Sequence, residues 1–309
     1  MRIFLVILIL LFSNYHHLSY AQEKTAITTE KASKKPSEKN ATATDKKNTN
    51  KSTEKALKIP LPVNQHQQFK DDIKHFLKTE NVTTLLNGSK DFITLIQEQT
   101  TSNAKGVAIL LPNWQQSAVS SPALNYFRKT LPDLGWTTIT VQSPEKPTNY
   151  PSKKIDPRAQ ADENKEVLAT YQDNLSAVMN KVMEKAANYP GIFLLIAESS
   201  NAAILVNSYQ QAESKQPDIL VILSGHLLTE KDNQNFINSL ANIDVPILDL
   251  YLGADNLYVQ KIAPLSAIEA KKQLKVYYRQ QKLDNFTSGN YPNEELLKAV
   301  KAWIKHLGW

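Results

Sequence analysis

The chain of 309 residues contains no cysteine. This absence excludes disulfide bonds, thiolate metal sites and cysteine nucleophiles together. Glycine is scarce as well, with eight residues, and no G-x-G-x-x-G or phosphate-loop pattern occurs. No pair of histidines and no group of carboxylates has the spacing of metal ligands. We therefore expect neither a metal ion nor an organic cofactor.

Long apolar runs are also lacking, apart from one at residues 3–12 that follows Arg2. A positive start, a short apolar core and the small residues around Ser19 and Ala21 are typical of a secretory signal peptide. The run is shorter than the ~20 residues that span a bilayer. Residues 1–21 are therefore predicted to direct export and to be cleaved, and an uncleaved anchor is the alternative.

The formal charge of +6 is concentrated in one segment. Residues 22–58 hold ten lysines and five acidic residues, whereas residues 59–309 carry equal numbers of basic and acidic side chains. The segment is rich in Lys, Thr and Ser and almost free of large apolar side chains, which predicts a disordered linker. The neutral domain at 59–309 argues against a nucleic-acid partner. A more specific hypothesis than a solvated linker is weak contact of its lysines with anionic envelope surfaces.

Hydrophobic periodicity predicts the organisation of this domain. Helical spacing from Phe69 to Ile96 favours helices over residues 64–99. Beyond them, apolar runs predict strands at 107–111, 137–141, 191–196, 219–224, 245–251 and 274–278. Amphipathic stretches predict helices at 122–131, 161–187, 202–209, 236–240, 258–271 and 294–307, and four prolines make 144–157 a loop. This alternation predicts an α/β fold, with a mostly parallel sheet covered by helices on both faces and preceded by N-terminal helices.

Several short motifs carry a family resemblance. They are G-V-A-I-L-L-P-N-W at 106–114, L-P-D-L-G-W-T-T-I-T-V-Q-S-P at 131–144, P-I-L-D-L-Y at 246–251, Y-Y-R-Q at 277–280 and K-A-W-I-K at 301–305. With these motifs, residues 64–309 resemble secreted bacterial α/β-hydrolase-like proteins that are grouped as a domain of unknown function. The resemblance implies an α/β-hydrolase fold and a periplasmic compartment, but no agreed activity or substrate.

The candidate nucleophile is Ser199, between a predicted strand and a predicted helix. A hydrolase elbow there usually reads G-x-S-x-G, because the serine occupies a strained turn with small flanks. Ala197 and Asn201 stand at the two glycine positions. The backbone N–H of Ser200 is the expected oxyanion donor. The alternative interpretation is that Ser199 and Ser200 only cap the following helix.

The candidate acid is Asp255, in the loop after the strand at 245–251, where a triad acid would orient a histidine. Turn formation or helix capping is the competing interpretation. The base is missing, because the predicted loop at 279–290 contains no histidine. His226, just after the strand at 219–224, is the only histidine expected near the site.

The loop after the first parallel strand reads Pro112-Asn113-Trp114. Pro112 has no N–H to offer an oxyanion. Asn113 and Trp114 are predicted pocket residues, and Trp114 is expected at the rim, where its ring could cover the pocket or stack on a ligand.

The incomplete elbow, the proline loop and the absent histidine favour a pseudoenzyme. The leading hypothesis is a non-catalytic binding or envelope-associated module with an unknown envelope ligand or protein as its partner. The alternative is a divergent serine hydrolase, an esterase or acyl-transfer enzyme, with Ser199 as nucleophile, Asp255 as acid and His226 as base. A third hypothesis makes the lysine-rich linker the functional element and the domain its anchor.

Overall fold

The computed structural model describes residues 62–77, 81–88, 90–211, 214–287 and 289–309. The predicted signal peptide and linker lie outside the described residues. Residues 60–309 belong to one compact unit. None of the helices in the described ranges is both long enough and apolar enough to cross a membrane.

Eight strands form one sheet in the order β1-β2-β4-β3-β5-β6-β7-β8. The strands are β1 (Asn81–Asn87), β2 (Lys90–Gln97), β3 (Gly106–Leu111), β4 (Trp136–Val141), β5 (Ile192–Glu198), β6 (Ile219–Leu223), β7 (Ile247–Leu252) and β8 (Tyr278–Leu283). The helices are α1 (Gln65–Phe76), α2 (Pro122–Thr130), α3 (Pro157–Ala186), α4 (Ser199–Ser208), α5 (Glu230–Asn242), α6 (Leu257–Lys272) and α7 (Asn293–His306). Strands β3 to β8 are parallel to one another, so the predicted mostly parallel α/β sheet is confirmed.

The central strands are apolar because both of their faces are covered. Along β3, Ile109 packs into the cluster that contains side chains of α3, α4 and α5. The neighbouring Ala108 and Leu110 pack into the opposite cluster, with α2 and α7. Alternation of side chains along a strand therefore divides one sheet between two helical layers.

The prediction of helices throughout residues 64–99 is wrong for its second half. Among the described residues of this range, α1 alone is helical, and β1 and β2 form an antiparallel hairpin that joins the sheet through β4. Asn87 pairs with Lys90, and Gly88, which has a φ of 61°, begins the two residues between them. Gly-Ser at these two positions is a hairpin signal, and it outweighs the approximate helical spacing of the apolar residues around it.

The prediction of the last strand is also wrong in its position. The apolar run at 274–278 precedes β8, and Leu274 and Val276 are 82% and 81% exposed. Because β8 lies at the edge of the sheet, it carries polar residues, of which Arg279 and Lys282 are exposed, and it gives no continuous apolar signal. The loop between β8 and α7 therefore spans residues 284–292. It still contains no histidine.

Candidate functional site

The six predicted site residues line one cavity of about 430 Å³. They are Ser199, Asp255, His226, Ser200, Asn113 and Trp114. Each lies at or just beyond the carboxyl end of β3, β5, β6 or β7. Because these strands are parallel, their carboxyl ends meet at one edge of the sheet, where ligand sites of such folds form.

Ser199 adopts a strained backbone conformation, with a φ of 49°. Such a left-handed conformation costs a non-glycine residue about 1–3 kcal/mol and is typical of functional turns. Helix α4 begins at Ser199, its N-cap is Glu198, and no side chain caps it. The interpretation of Ser199 and Ser200 as helix-capping side chains is therefore wrong, and the turn has the geometry of a nucleophile elbow.

Asn201 occupies the position of the second elbow glycine, and its side chain forms hydrogen bonds with three other residues. Its side chain is fully buried, and its Nδ2 donates to the carbonyl oxygen of Pro112 at 2.7 Å and to Ser143 Oγ at 2.8 Å. Its Oδ1 accepts a hydrogen bond from the Tyr171 hydroxyl at 2.8 Å. These bonds connect α4 to the ends of β3 and β4 and to α3. A glycine at this position would allow close packing but would form no side-chain hydrogen bonds.

Asp255 organises the turn after β7 and faces the cavity. Its Oδ2 accepts hydrogen bonds from Ser224 Oγ at 2.5 Å and from the Leu252 N–H at 2.9 Å. Its Oδ1 accepts from the Asn256 N–H at 2.7 Å. Asn256 caps α6, so the interpretation of Asp255 as the cap is wrong, whereas its role in the turn is observed.

Tyr291 lies in the loop after β8, where a hydrolase carries its histidine. Its hydroxyl is 2.5 Å from Ser224 Oγ and donates to the Leu250 carbonyl oxygen at 3.1 Å. Burial holds the pKa of this phenol well above its ordinary value, so the group stays neutral. A neutral Tyr291–Ser224 pair therefore stands beside the carboxylate of Asp255.

Sequence reasoning missed both Tyr291 and Ser224. The predicted loop ended at residue 290, one residue before Tyr291, and it was searched only for a histidine. Ser224 has a φ of 52°, and a serine in the amino-acid sequence does not predict that conformation. A signal was nonetheless present, since Ser224 follows a buried strand as Ser199 does.

His226 is 8% exposed and is held by its backbone neighbour. Its Nδ1 lies 2.8 Å from the Ser224 carbonyl oxygen. A carbonyl oxygen can only accept, so Nδ1 carries a proton, and in the neutral form of the ring the lone pair is on Nε2. The ring also stacks on Tyr258, with 6.4 Å between the ring centroids. A histidine with a basic nitrogen thus lines the same cavity as Ser199.

Glu198 places a carboxyl group beside the expected oxyanion loop. Its Oε1 accepts a hydrogen bond from Ser121 Oγ at 2.5 Å. Burial raises the pKa of Glu198 to about 7, against the opposing effects of the Ser121 hydroxyl and the Asn113 backbone. A buried carboxyl group therefore lies beside the loop in which a hydrolase would direct backbone N–H groups to an oxyanion.

The backbone donors of the loop after β3 are engaged within the loop itself. The Asn113 N–H lies 3.3 Å from Gln116 Oε1, and the Trp114 N–H donates to Asn113 Oδ1 at 2.9 Å. The N–H groups in the first turn of a helix have no intrahelical partner, and the Ser200 N–H belongs to this turn of α4.

Trp114 is packed rather than exposed, and its prediction as a rim residue is wrong. It is 5% exposed and makes edge-to-face contacts with Tyr150 and Tyr171, at centroid distances of 5.7 and 5.3 Å. The Lys146 ammonium lies 5.7 Å from the centroid of its ring. Trp114 therefore forms a wall of the cavity and is not free to fold over a ligand.

Among the described residues, no group of three or more His, Asp or Glu side chains is placed to hold a metal ion. The family described as "Protein of unknown function (DUF3530)" matches residues 3–306. No curated protein matches the chain.

Two solved structures share the architecture. One is a putative dienelactone hydrolase from Klebsiella pneumoniae subsp. pneumoniae MGH 78578, with 12% identity and a TM-score of 0.51 over 72% of this chain and 97% of that one. The other is a dienelactone hydrolase from Anabaena variabilis ATCC 29413, with 14% identity and a TM-score of 0.50 over 74% of this chain and 97% of that one. At these identities the likeness shows the α/β-hydrolase fold alone.

Proposed function

Because the chain belongs to the DUF3530 family and has an α/β-hydrolase fold, we propose that it is a binding module without hydrolase catalysis. The observation that carries the proposal is the Tyr291–Ser224–Asp255 cluster. A triad acid must hold an imidazole that takes the serine proton. Here the Asp255 carboxylate accepts from Ser224, and the loop of the base supplies a neutral phenol. The engagement of the Asn113 N–H by Gln116 Oε1 supports the same conclusion.

The composition of the cavity wall indicates the chemistry of the ligand. The wall contains the hydroxyl groups of Ser199, Ser224 and Tyr291 and the carboxyl groups of Glu198 and Asp255. Among the described residues, neither lysine nor arginine lines it. We infer that the ligand is a neutral polyhydroxylated or cationic compound of the cell envelope, because an anion would find no countercharge.

The compartment and the linker belong to the same proposal. A secretory signal at 1–21 would deliver the protein to the periplasm, and the lysine-rich linker at 22–58 would let the domain move near an anionic envelope surface.

A fluorophosphonate probe tests the absence of catalysis. We expect no labelling of the purified, folded protein beyond the level of a Ser199→Ala variant, because no base is positioned by an acid to activate the serine. Labelling is read by in-gel fluorescence, with an active serine esterase as the positive control. Labelling that is stoichiometric in the wild type and lost in Ser199→Ala would overturn the proposal.

A second candidate function is a divergent serine hydrolase. It is supported by the φ of 49° at Ser199 and by the basic Nε2 of His226 in the same cavity. In that case Ser199→Ala and His226→Asn would each lower the rate of ester hydrolysis by about 10²-fold or more. The variants are compared with wild type by the release of p-nitrophenol from short-chain esters. Equal background rates in all three proteins would exclude this candidate.

A further inference from the structure

A second cavity, of about 580 Å³, lies between α2 and α7. Trp136, the first residue of β4, and Lys105, directly before β3, line it. Ser199 follows the end of β5, and β3 is parallel to both β4 and β5. This α2–α7 groove therefore lies at the opposite edge of the sheet from the cavity at Ser199 and forms a separate site.

The floor of the α2–α7 groove is apolar and aromatic. Leu131 and Trp136 are buried at its base, and Val300 and Ile304 of α7 form one side. The indole of Trp309 borders the groove and is 62% exposed. The apolar surface that still faces water belongs to Trp309 and to the partly buried Leu134 and Leu297, and a hydrocarbon ligand would remove this surface from water.

The rim of the groove is cationic. Lys298, Lys301 and Lys305 follow one another at helical spacings of three and four residues, which places them on one face of α7. Lys105 adds a fourth ammonium group, and Glu294 is the acidic residue among the lining side chains. None of the four lysines has an ion-pair partner within the described part of the chain.

We propose that the α2–α7 groove binds a single-chain anionic amphiphile, such as a fatty acid. The acyl chain would lie on the apolar floor, and the anionic head group would face the lysines of α7. The volume of the groove falls within the range of small-molecule sites. The ligand of this proposal is therefore a dissolved monomer, not a bilayer surface. The site is independent of the function proposed for the cavity at Ser199.

Calorimetric titration with sodium laurate below its micellar concentration tests the proposal on the full chain. We expect saturable binding of laurate and binding of dodecyltrimethylammonium that is at least about tenfold weaker, because the two share a chain length and differ in the sign of the head group. Equal affinities for the two would overturn the proposal. Binding to phosphatidylglycerol vesicles without binding of laurate would overturn it in favour of a membrane surface.

Matched variants locate the site. The triple variant Lys298→Gln, Lys301→Gln, Lys305→Gln should weaken laurate binding by about tenfold, from three partly screened charge contacts. A control with Lys165→Gln, Lys231→Gln and Lys271→Gln removes the same charge from exposed positions of α3, α5 and α6. The control should bind as wild type does, and so should Ser199→Ala. An equal loss of laurate binding in the two triple variants would show that the effect depends on net charge alone, and it would refute the site.

Trp309→Ala gives a test that leaves the charge unchanged. The indole is largely exposed, so its removal should leave the fold intact while it takes apolar surface from the groove. We expect laurate binding to weaken by about threefold or more. Unchanged affinity in both Trp309→Ala and the α7 triple variant would place laurate elsewhere on the protein.

Discussion

Replacement of Asn201 by leucine should lower the free energy of unfolding by about 3 kcal/mol, because three buried hydrogen bonds are lost at about 1 kcal/mol each. Leucine has the same heavy-atom branching as asparagine but a larger volume, so overpacking at this buried position adds to the loss of the hydrogen bonds. Asn201 bonds to Pro112, Ser143 and Tyr171, which belong to three different parts of the fold. Urea unfolding at pH 7, followed by tryptophan fluorescence and by circular dichroism, measures the change.

A single-bond control divides this effect into its parts. Tyr171→Phe removes only the hydroxyl that donates to Asn201 Oδ1, and it should cost about 1–2 kcal/mol. If Asn201→Leu proved no more destabilising than Tyr171→Phe, the bonds to the ends of β3 and β4 would contribute nothing, and the stabilising role assigned to Asn201 would be wrong.

The stability of the protein should fall as pH rises from about 4.5 to 7, through the ionisation of Glu198. Burial raises the pKa of Glu198 from 4.5 to about 7 in the folded protein. In that window the unfolded chain has released a proton that the folded chain still binds, so each rise in pH favours unfolding. The full contribution is about 3 kcal/mol, and it levels off above pH 7.

The variant Glu198→Gln isolates this contribution, because other titrating groups are common to both proteins. Between pH 5 and pH 8, the stability of wild type should drop by about 3 kcal/mol relative to Glu198→Gln, as measured by urea unfolding at each pH. Glu295→Gln, which removes an exposed carboxyl group of α7, is the control and should follow wild type. Parallel profiles of wild type and Glu198→Gln would show that Glu198 ionises normally in the folded protein.

If both results hold, two residues of the degenerate elbow have structural effects. Asn201 would stabilise a turn that glycines ordinarily make possible in hydrolases. Glu198 would keep a titrating carboxyl group beside the loop that carries oxyanion donors in hydrolases. Such an elbow preserves the backbone shape of a hydrolase while its donors bond to the protein itself. This arrangement is consistent with a cavity that binds rather than hydrolyses.

The sequence by itself determined the alternation of buried strands and amphipathic helices, because a parallel sheet covered on both faces needs continuous apolar strands. It also located the turn at Ser199 and grouped the six candidate residues, since the carboxyl ends of parallel strands share one edge. Its predictions were wrong where local patterns were ambiguous: a hairpin with Gly88 in its loop lay inside apparent helical spacing, and the edge strand β8 carried few apolar residues.

Only the tertiary structure determined which side chains of the site contact one another. Ser224 contacts Tyr291 across 67 residues of chain and Asp255 across 31, and the loop that carries Tyr291 begins only where β8 ends. Likewise, the α2–α7 groove joins side chains of two helices that are far apart in the sequence. Periodicity reports which face of an element is buried, but it does not report which distant side chain it meets, because that contact depends on the packing of the whole chain.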